Sequence, residues 1–140
     1  MNQVLTIIHD EPGFLIMLHK ITILVFHDEI APRFDLATEI LLIIVSKGNI
    51  VEEKKTVFLP RSSADDLCHI LISENVNTLI CGAIEDEYYQ FLKWKKINVF
   101  DSVAGNWFDV FNQWLHGNLH SGNIFLKRRV EGQYVLENSE

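Results

Sequence analysis

The chain has 140 residues, of which 48% are hydrophobic and three are proline, and this length closes one hydrophobic core but is too short for two ordinary domains. The net charge of -7 and the pI near 5.3 argue against nucleic-acid binding, which draws its affinity from clustered Lys and Arg. Two cysteines, Cys68 and Cys81, are too few for a secreted disulfide scaffold or an all-cysteine, four-ligand metal site. We therefore expect a cytoplasmic protein with reduced thiols.

The first sixteen residues are expected to form an N-terminal extension. They begin without a basic region, and the polar run 9–13 interrupts their apolar patches, so neither a signal peptide nor a membrane span is predicted. The segment could be an upstream start before Met17, or it could fold as an extra hairpin about Glu11-Pro12-Gly13. The sequence leaves both alternatives open.

Three strands are predicted to open the domain. Residues 20–26 (KITILVF) and 39–45 (EILLIIV) are short apolar runs rich in β-branched residues, as in strands buried on both faces. The turn Ser46-Lys47-Gly48-Asn49 leads from the second run into residues 50–59, which mix charge with apolar residues. The last two strands should form an antiparallel hairpin with an exposed edge.

The pattern then changes to helical spacing. Ser62 and Ser63 precede Asp65 and Asp66 as a capping-box-like helix start. The elements predicted from there are a helix to about residue 75, a strand at 76–81, a helix at 85–96, a strand at 97–100, and a helix capped by Asn106 and ended at Gly117. The domain is expected to span residues 17–119, and residues 120–140, with the basic run Lys127-Arg128-Arg129, are expected to be a solvated tail.

This order, βββαβαβα, predicts an α/β fold of the ribonuclease-H-like, three-layer kind with a mixed sheet. An antiparallel meander comes first, and right-handed crossovers then add parallel strands beside the first strand.

Three loops should meet at the carboxyl edge of the parallel strands, where open α/β sheets bind ligands. They are residues 27–38, 81–85 and 101–106. Their candidate binding residues are His27, Arg33, Asp35, Cys81 and the backbone around Gly82 and Gly105. The first loop is long for a compact domain, and ordered loops of that length are often functional.

Each candidate also has a purely structural interpretation. Cys81 ends an apolar strand and could be a small buried hydrophobe. Arg33 and Asp35 could pair with each other, and His27 could be a surface imidazole beside two acids.

Other chemistries are less well supported by the residues. His116 and His120 lie four residues apart, but Gly117 falls between them where the helix should end. A nuclease of this fold would need carboxylates for Mg²⁺, typically one within the first strand, and residues 20–26 contain none. We find no nucleophile, base and orienting residue in one motif, so an enzyme is not expected.

Four segments together resemble the dinitrogenase iron-molybdenum cofactor biosynthesis family: residues 30–37 (IAPRFDLA), 79–84 (LICGAI), 97–99 (INV) and 114–119 (WLHGNL). The resemblance covers roughly residues 18–119 and implies a ribonuclease-H-like fold. It also implies a role in binding or carrying an iron-sulfur or iron-molybdenum cluster, or its precursor, for delivery to an acceptor or scaffold protein.

One difference from that family concerns the first loop. Members closest to nitrogenase assembly carry His-Phe-Gly, whereas this chain has Arg33-Phe34-Asp35, as a stand-alone subgroup does. The resemblance therefore carries over the place of the site without that histidine. The cluster-binding residues expected here are His27, Arg33, Phe34, Asp35, Cys81, Gly82 and Gly105, with Cys81 and His27 as the metal ligands. The alternative is a metal-free regulatory or protein-interaction module that recognises a small anion or a partner protein.

Overall fold

A computed structural model describes the backbone of residues 4–7, 15–130 and 133–139 and the side chains of residues 18–125. Its strands are β1 (Val4–Ile7), β2 (Leu15–Phe26), β3 (Glu29–Ile30), β4 (Glu39–Ser46), β5 (Ile50–Phe58), β6 (Thr78–Ile80), β7 (Asn98–Phe100), β8 (Ile124–Val130) and β9 (Gln133–Ser139). Its helices are α1 (Ala64–Ser73), α2 (Asp86–Trp94) and α3 (Trp107–Leu115), with a short 3-10 turn at Phe34–Leu36. The predicted α/β class is confirmed, with β2, β4, β5, α1, β6, α2, β7 and α3 as the expected βββαβαβα series.

The main sheet is mixed, with the strand order β5-β4-β2-β6-β7. β2, β4 and β5 form the predicted antiparallel meander. β6 then adds parallel beside β2, and β7 adds parallel beside β6, each after a helical crossover. The long β2 is therefore the central strand, which is why its residues 21–25 are buried.

Two hydrophobic cores lie on opposite faces of this sheet. Leu24 of β2 packs with Leu67 and Leu71 of α1 and Leu92 of α2. On the other face, residues 21, 23 and 25 pack with Val110 of α3. The alternation follows from the two-residue period of a strand and gives the predicted three layers.

The helix starts predicted from the sequence are those found. Ser63 Oγ accepts a hydrogen bond of 3.1 Å from the backbone N–H of Asp66 at the start of α1. Asn106 Oδ1 accepts from the N–H groups of Phe108 and Asp109 at the start of α3.

Both ends of the chain add backbone pairing to this domain. β1 pairs antiparallel with the start of β2, as the predicted extra hairpin would, while its turn at Glu11-Pro12-Gly13 lies outside the described residues. After residue 119 the chain stays packed through Phe125, which is buried and whose N–H donates to Ala104 O at 2.8 Å. β8 and β9 form a second, two-stranded sheet. The side chains of Lys127-Arg128-Arg129 lie outside the described residues.

Among the residues that the structure describes, no helix has the length and apolar character needed to cross a membrane.

Candidate functional site

The first loop leaves the sheet later than the sequence indicates. His27 and Asp28 have φ angles of 49° and 66°, so they make a tight two-residue hairpin turn with both central residues in the left-handed region. The chain then returns as β3, where Ile30 pairs with Val25. Only after Ile30 does the backbone turn away from β2, into the 3-10 turn that holds the Arg33-Phe34-Asp35 sequence.

The three loops predicted to meet are joined through their backbones. Pro32 O accepts a hydrogen bond from Ala83 N, and Ala83 O accepts one from Phe34 N, each 2.8 Å long. Gly105 O accepts from Ile30 N at 2.9 Å, and Asp28 O accepts from Trp107 N at 2.9 Å. Residues 27–38, 81–85 and 101–106 thus form one connected surface, which we call the three-loop rim.

Two glycines permit this close approach. A Cβ on Gly82 would lie closer than 3.0 Å to the carbonyl oxygens of Pro32 and Ala31. Gly105 has a φ of 128°, and a Cβ there would come equally close to the backbone of Phe125. Gly82 and Gly105 therefore have a packing role in the rim, whether or not their backbone also meets a ligand.

Arg33, the most exposed charged side chain among the candidate residues, is paired with Asp35. The Arg33 guanidinium donates to both carboxylate oxygens of Asp35, with Nε–Oδ1 and Nη2–Oδ2 distances of 3.0 and 2.9 Å. Their side chains are 52% and 27% exposed. The guanidinium holds the pKa of Asp35 below its ordinary value, and Asp35 raises that of Arg33. An anion that binds Arg33 must therefore compete with this bidentate pair.

Cys81 and Phe34 lie behind the rim. Cys81 is fully buried, and burial raises the pKa of its thiol far above the ordinary range, with a smaller effect from Asp101 in the same direction. Phe34 is 1% exposed, and its ring centroid lies 5.8 Å from that of Tyr88 on α2. Both side chains are part of the α1 and α2 core in this conformation, in agreement with the structural interpretation of Cys81.

His27 is exposed at the surface, in the turn between β2 and β3. Its ring packs edge-on against Phe26, with the centroids 4.1 Å apart. His116 follows the end of α3, and its Nδ1 lies 2.7 Å from Asn112 O. Within residues 18–125, whose side chains are described, His, Cys, Asp and Glu make no group of three that could hold a metal ion.

An apolar groove of about 250 Å³ runs beside Arg33 along residues 25–38. Phe26 and Leu36 line it and are 58% and 60% exposed. Neither residue is among the binding residues predicted from the sequence. The signal was available in Phe26, because a large aromatic residue stands at the end of a strand where the chain enters a polar turn.

Comparison with known proteins gives a structural likeness. No family model matches the chain, and no curated protein matches it. The crystal structure of PH0822 superimposes with a TM-score of 0.66 at 17% identity, over 73% of this chain and 93% of that chain, which shows a shared fold.

A second similar structure carries a functional name. A Methanocaldococcus jannaschii protein provisionally named a dinitrogenase (MJ0327) is 25% identical, and its crystal structure has a TM-score of 0.59 over 71% of this chain and 90% of that chain. Its NMR structure has a TM-score of 0.60 at the same 25% identity, over 74% and 92% of the two chains. This likeness supports a relation between the chain and a dinitrogenase-like family.

Proposed function

We propose that the protein binds an iron-sulfur or iron-molybdenum type cluster, or its precursor, at the three-loop rim and passes it to an acceptor or scaffold protein. The observation that carries the proposal is the fold, which at 25% identity matches 90% of a protein provisionally named a dinitrogenase. The rim supports the location, because it lies at the carboxyl edge of the parallel strands and is held by backbone hydrogen bonds between its loops.

The accessible donors on the rim are few. A metal-sulfide cluster is anionic, so the imidazole of His27 would supply one exchangeable metal ligand and the guanidinium of Arg33 would neutralise charge. Asp35 would then release Arg33 as the cluster binds. Cys81 would join as a ligand only after the loop at 81–85 moves, since its thiol is buried. Weak attachment of this kind allows transfer to another protein.

Anaerobic reconstitution tests this proposal. The full-length protein would be mixed with a preassembled iron-sulfur cluster, desalted, and assayed for bound iron, sulfide and visible absorption. We expect uptake that His27→Ala and Arg33→Gln each reduce, and that the matched surface variant His120→Ala leaves intact. Absence of uptake by the wild-type protein would exclude the carrier function, and equal uptake by all variants would place the ligand away from the rim.

The alternative is a metal-free module that recognises a small anion or a partner protein. The apolar groove of about 250 Å³ beside Arg33 favours it, because apolar walls with one cationic group suit an organic anion or a partner side chain better than a bare metal. The same experiment separates the two functions, since this module would take up no metal.

We further propose that the protein acts by binding rather than by catalysis, and in the cytoplasm. Burial keeps the thiol of Cys81 protonated, so Cys81 is poorly suited to act as a nucleophile.

A further inference from the structure

A larger concavity lies between α1 and α2, on the sheet face that these helices cover. Its volume is about 490 Å³. It is lined by Asp65, Cys68, His69 and Ile72 from α1 and by Glu87, Tyr88 and Phe91 from α2. We call it the helix groove. No role for it was predicted from the sequence, and no candidate ligand of the three-loop rim lines it.

Two apolar side chains that line the helix groove are accessible. Ile72 and Phe91 are 36% and 38% exposed, although both stand on helices whose inner faces are packed into the core. Ile72 belongs to α1 and Phe91 to α2, so an apolar side chain placed between them would contact both helices. Grooves of this form between two helices commonly receive a third, amphipathic helix.

Negative charge surrounds one end of the helix groove. The first turns of α1 and α2 carry Asp65, Asp66, Asp86 and Glu87, and the residue before α2 is Glu85. These four first-turn carboxylates are exposed. Two of these carboxylates, Asp65 and Glu87, line the groove itself. Desolvation first, and then Asp65, Glu87 and Glu85, raise the pKa of Tyr88 between them. A segment that fills this groove therefore needs positive charge at that end.

The helix groove also adjoins the three-loop rim. Tyr88, which lines the groove, has its ring 5.8 Å from that of Phe34, which is buried behind the rim. A protein docked in the groove would consequently lie next to the Arg33-Phe34-Asp35 turn.

We propose that the helix groove binds a basic amphipathic helix of a partner protein, with its apolar side chains on Ile72 and Phe91 and its Lys or Arg side chains over Asp65 and Glu87. Shape and charge carry this inference together, because Ile72 and Phe91 accept an apolar stripe and the carboxylates of Asp65 and Glu87 accept the adjacent cationic stripe. It does not depend on what the three-loop rim binds.

A pair of designed peptides tests the inference on the full chain without metal. One is an amphipathic helix of about 18 residues, roughly 27 Å long, with a stripe of Leu and with Lys at the positions beside it. Its partner has Glu in place of every Lys. Binding would be followed by amide chemical-shift changes in NMR and by titration at low and physiological salt.

We expect the Lys peptide to bind with an affinity that falls as salt rises and to shift the amides of α1 and α2, while the Glu peptide does not bind. The double charge reversal Asp65→Lys/Glu87→Lys should weaken binding about tenfold or more. Phe91→Ala, which keeps the charges, should also weaken it. The matched control Glu52→Lys/Glu53→Lys changes the net charge equally at exposed sites on β5, outside the groove, and should leave the affinity within about twofold.

Three results would overturn the proposal. The control reversal could weaken binding as much as the groove reversal, which would indicate unspecific attraction to an acidic protein. The chemical-shift changes could map away from α1 and α2. Finally, sedimentation could show peptide-independent self-association that Phe91→Ala abolishes, in which case the groove is occupied by a second copy of this chain.

Discussion

Acidification from pH 7 to pH 5 is expected to destabilise the fold through His19. This side chain lies on β2 beneath α3 and is 4% exposed. Its Nε2 is 2.6 Å from Thr78 Oγ1, while its Nδ1 is buried without a hydrogen-bond partner among the described residues. Burial lowers the pKa of His19 to about 4. The folded protein therefore keeps this imidazole neutral at pH values where the unfolded chain protonates it.

The sign and size of the effect follow from the two pKa values. The unfolded histidine titrates near 6.5, so it takes up its proton first as the pH falls, and the fold loses stability between about pH 6.5 and pH 4. Below both values the loss is complete, at about 3 kcal/mol. Roughly 2 kcal/mol of this falls between pH 7 and pH 5. Above pH 7 His19 should have almost no effect on the pH dependence.

Urea unfolding followed by tryptophan fluorescence measures this loss, and the ring of Trp114, 5.0 Å from that of His19, places a reporter at the site. The wild-type protein should lose roughly 2 kcal/mol more than His19→Leu between pH 7 and pH 5. The exposed His69→Gln serves as a control and should behave as wild type. Equal pH dependence in wild type and His19→Leu would refute the reasoning.

Other predictions concern the three-loop rim. Gly82→Ala should destabilise the protein by about 2 kcal/mol or more, because the added Cβ meets backbone oxygens that cannot move aside. Gly48→Ala, with nothing within 4 Å of its Cβ, should cost about 1 kcal/mol through its positive φ alone, and thermal unfolding that ranks the two variants the other way would contradict this. The thiol of Cys81 should resist a thiol reagent in the native state and react after unfolding in urea; rapid native labelling, located by mass spectrometry, would show that the loop opens readily. An NMR titration should give Asp35 a pKa below the ordinary value, and Arg33→Gln should return it towards that value without changing the unfolding midpoint. An unchanged Asp35 titration in Arg33→Gln would mean that the pair does not form in solution.

Much of the fold was predictable because the decisive signals are local in sequence. The short apolar runs within β2 and β4 indicated strands buried on both faces, and the turn Ser46-Lys47-Gly48-Asn49 indicated that β5 is the hairpin partner of β4. The caps at Ser63 and Asn106 fixed two helix starts, since the side-chain oxygen and the N–H groups that it accepts from lie within three residues of each other. The order of these elements was then enough to predict the mixed sheet.

The interior of the site was less predictable, since exposure depends on residues distant in sequence. The sequence placed Phe34 and Cys81 on the rim among the candidate ligands, and the structure buries both side chains in the core below α1 and α2. The structure also turns the first loop back at His27 and Asp28. From the sequence, this hairpin was predicted only as part of a long loop. Two features were missed altogether: the buried His19 under α3, and the helix groove, whose walls at Ile72 and Phe91 belong to different helices.

The sequence by itself thus determined the element types, their order, the sheet topology and the edge at which the three loops meet. It did so because strand periodicity, capping and the handedness of crossovers are short-range or topological constraints. Only the tertiary structure decided which of the rim residues reach solvent, because that depends on how the backbones of residues 31–34, 82–83 and 102–105 approach one another. Beside the tight contact at Gly82, Arg33 is exposed and Cys81 is buried. Their exposure decides which chemical groups the three-loop rim can offer to a ligand.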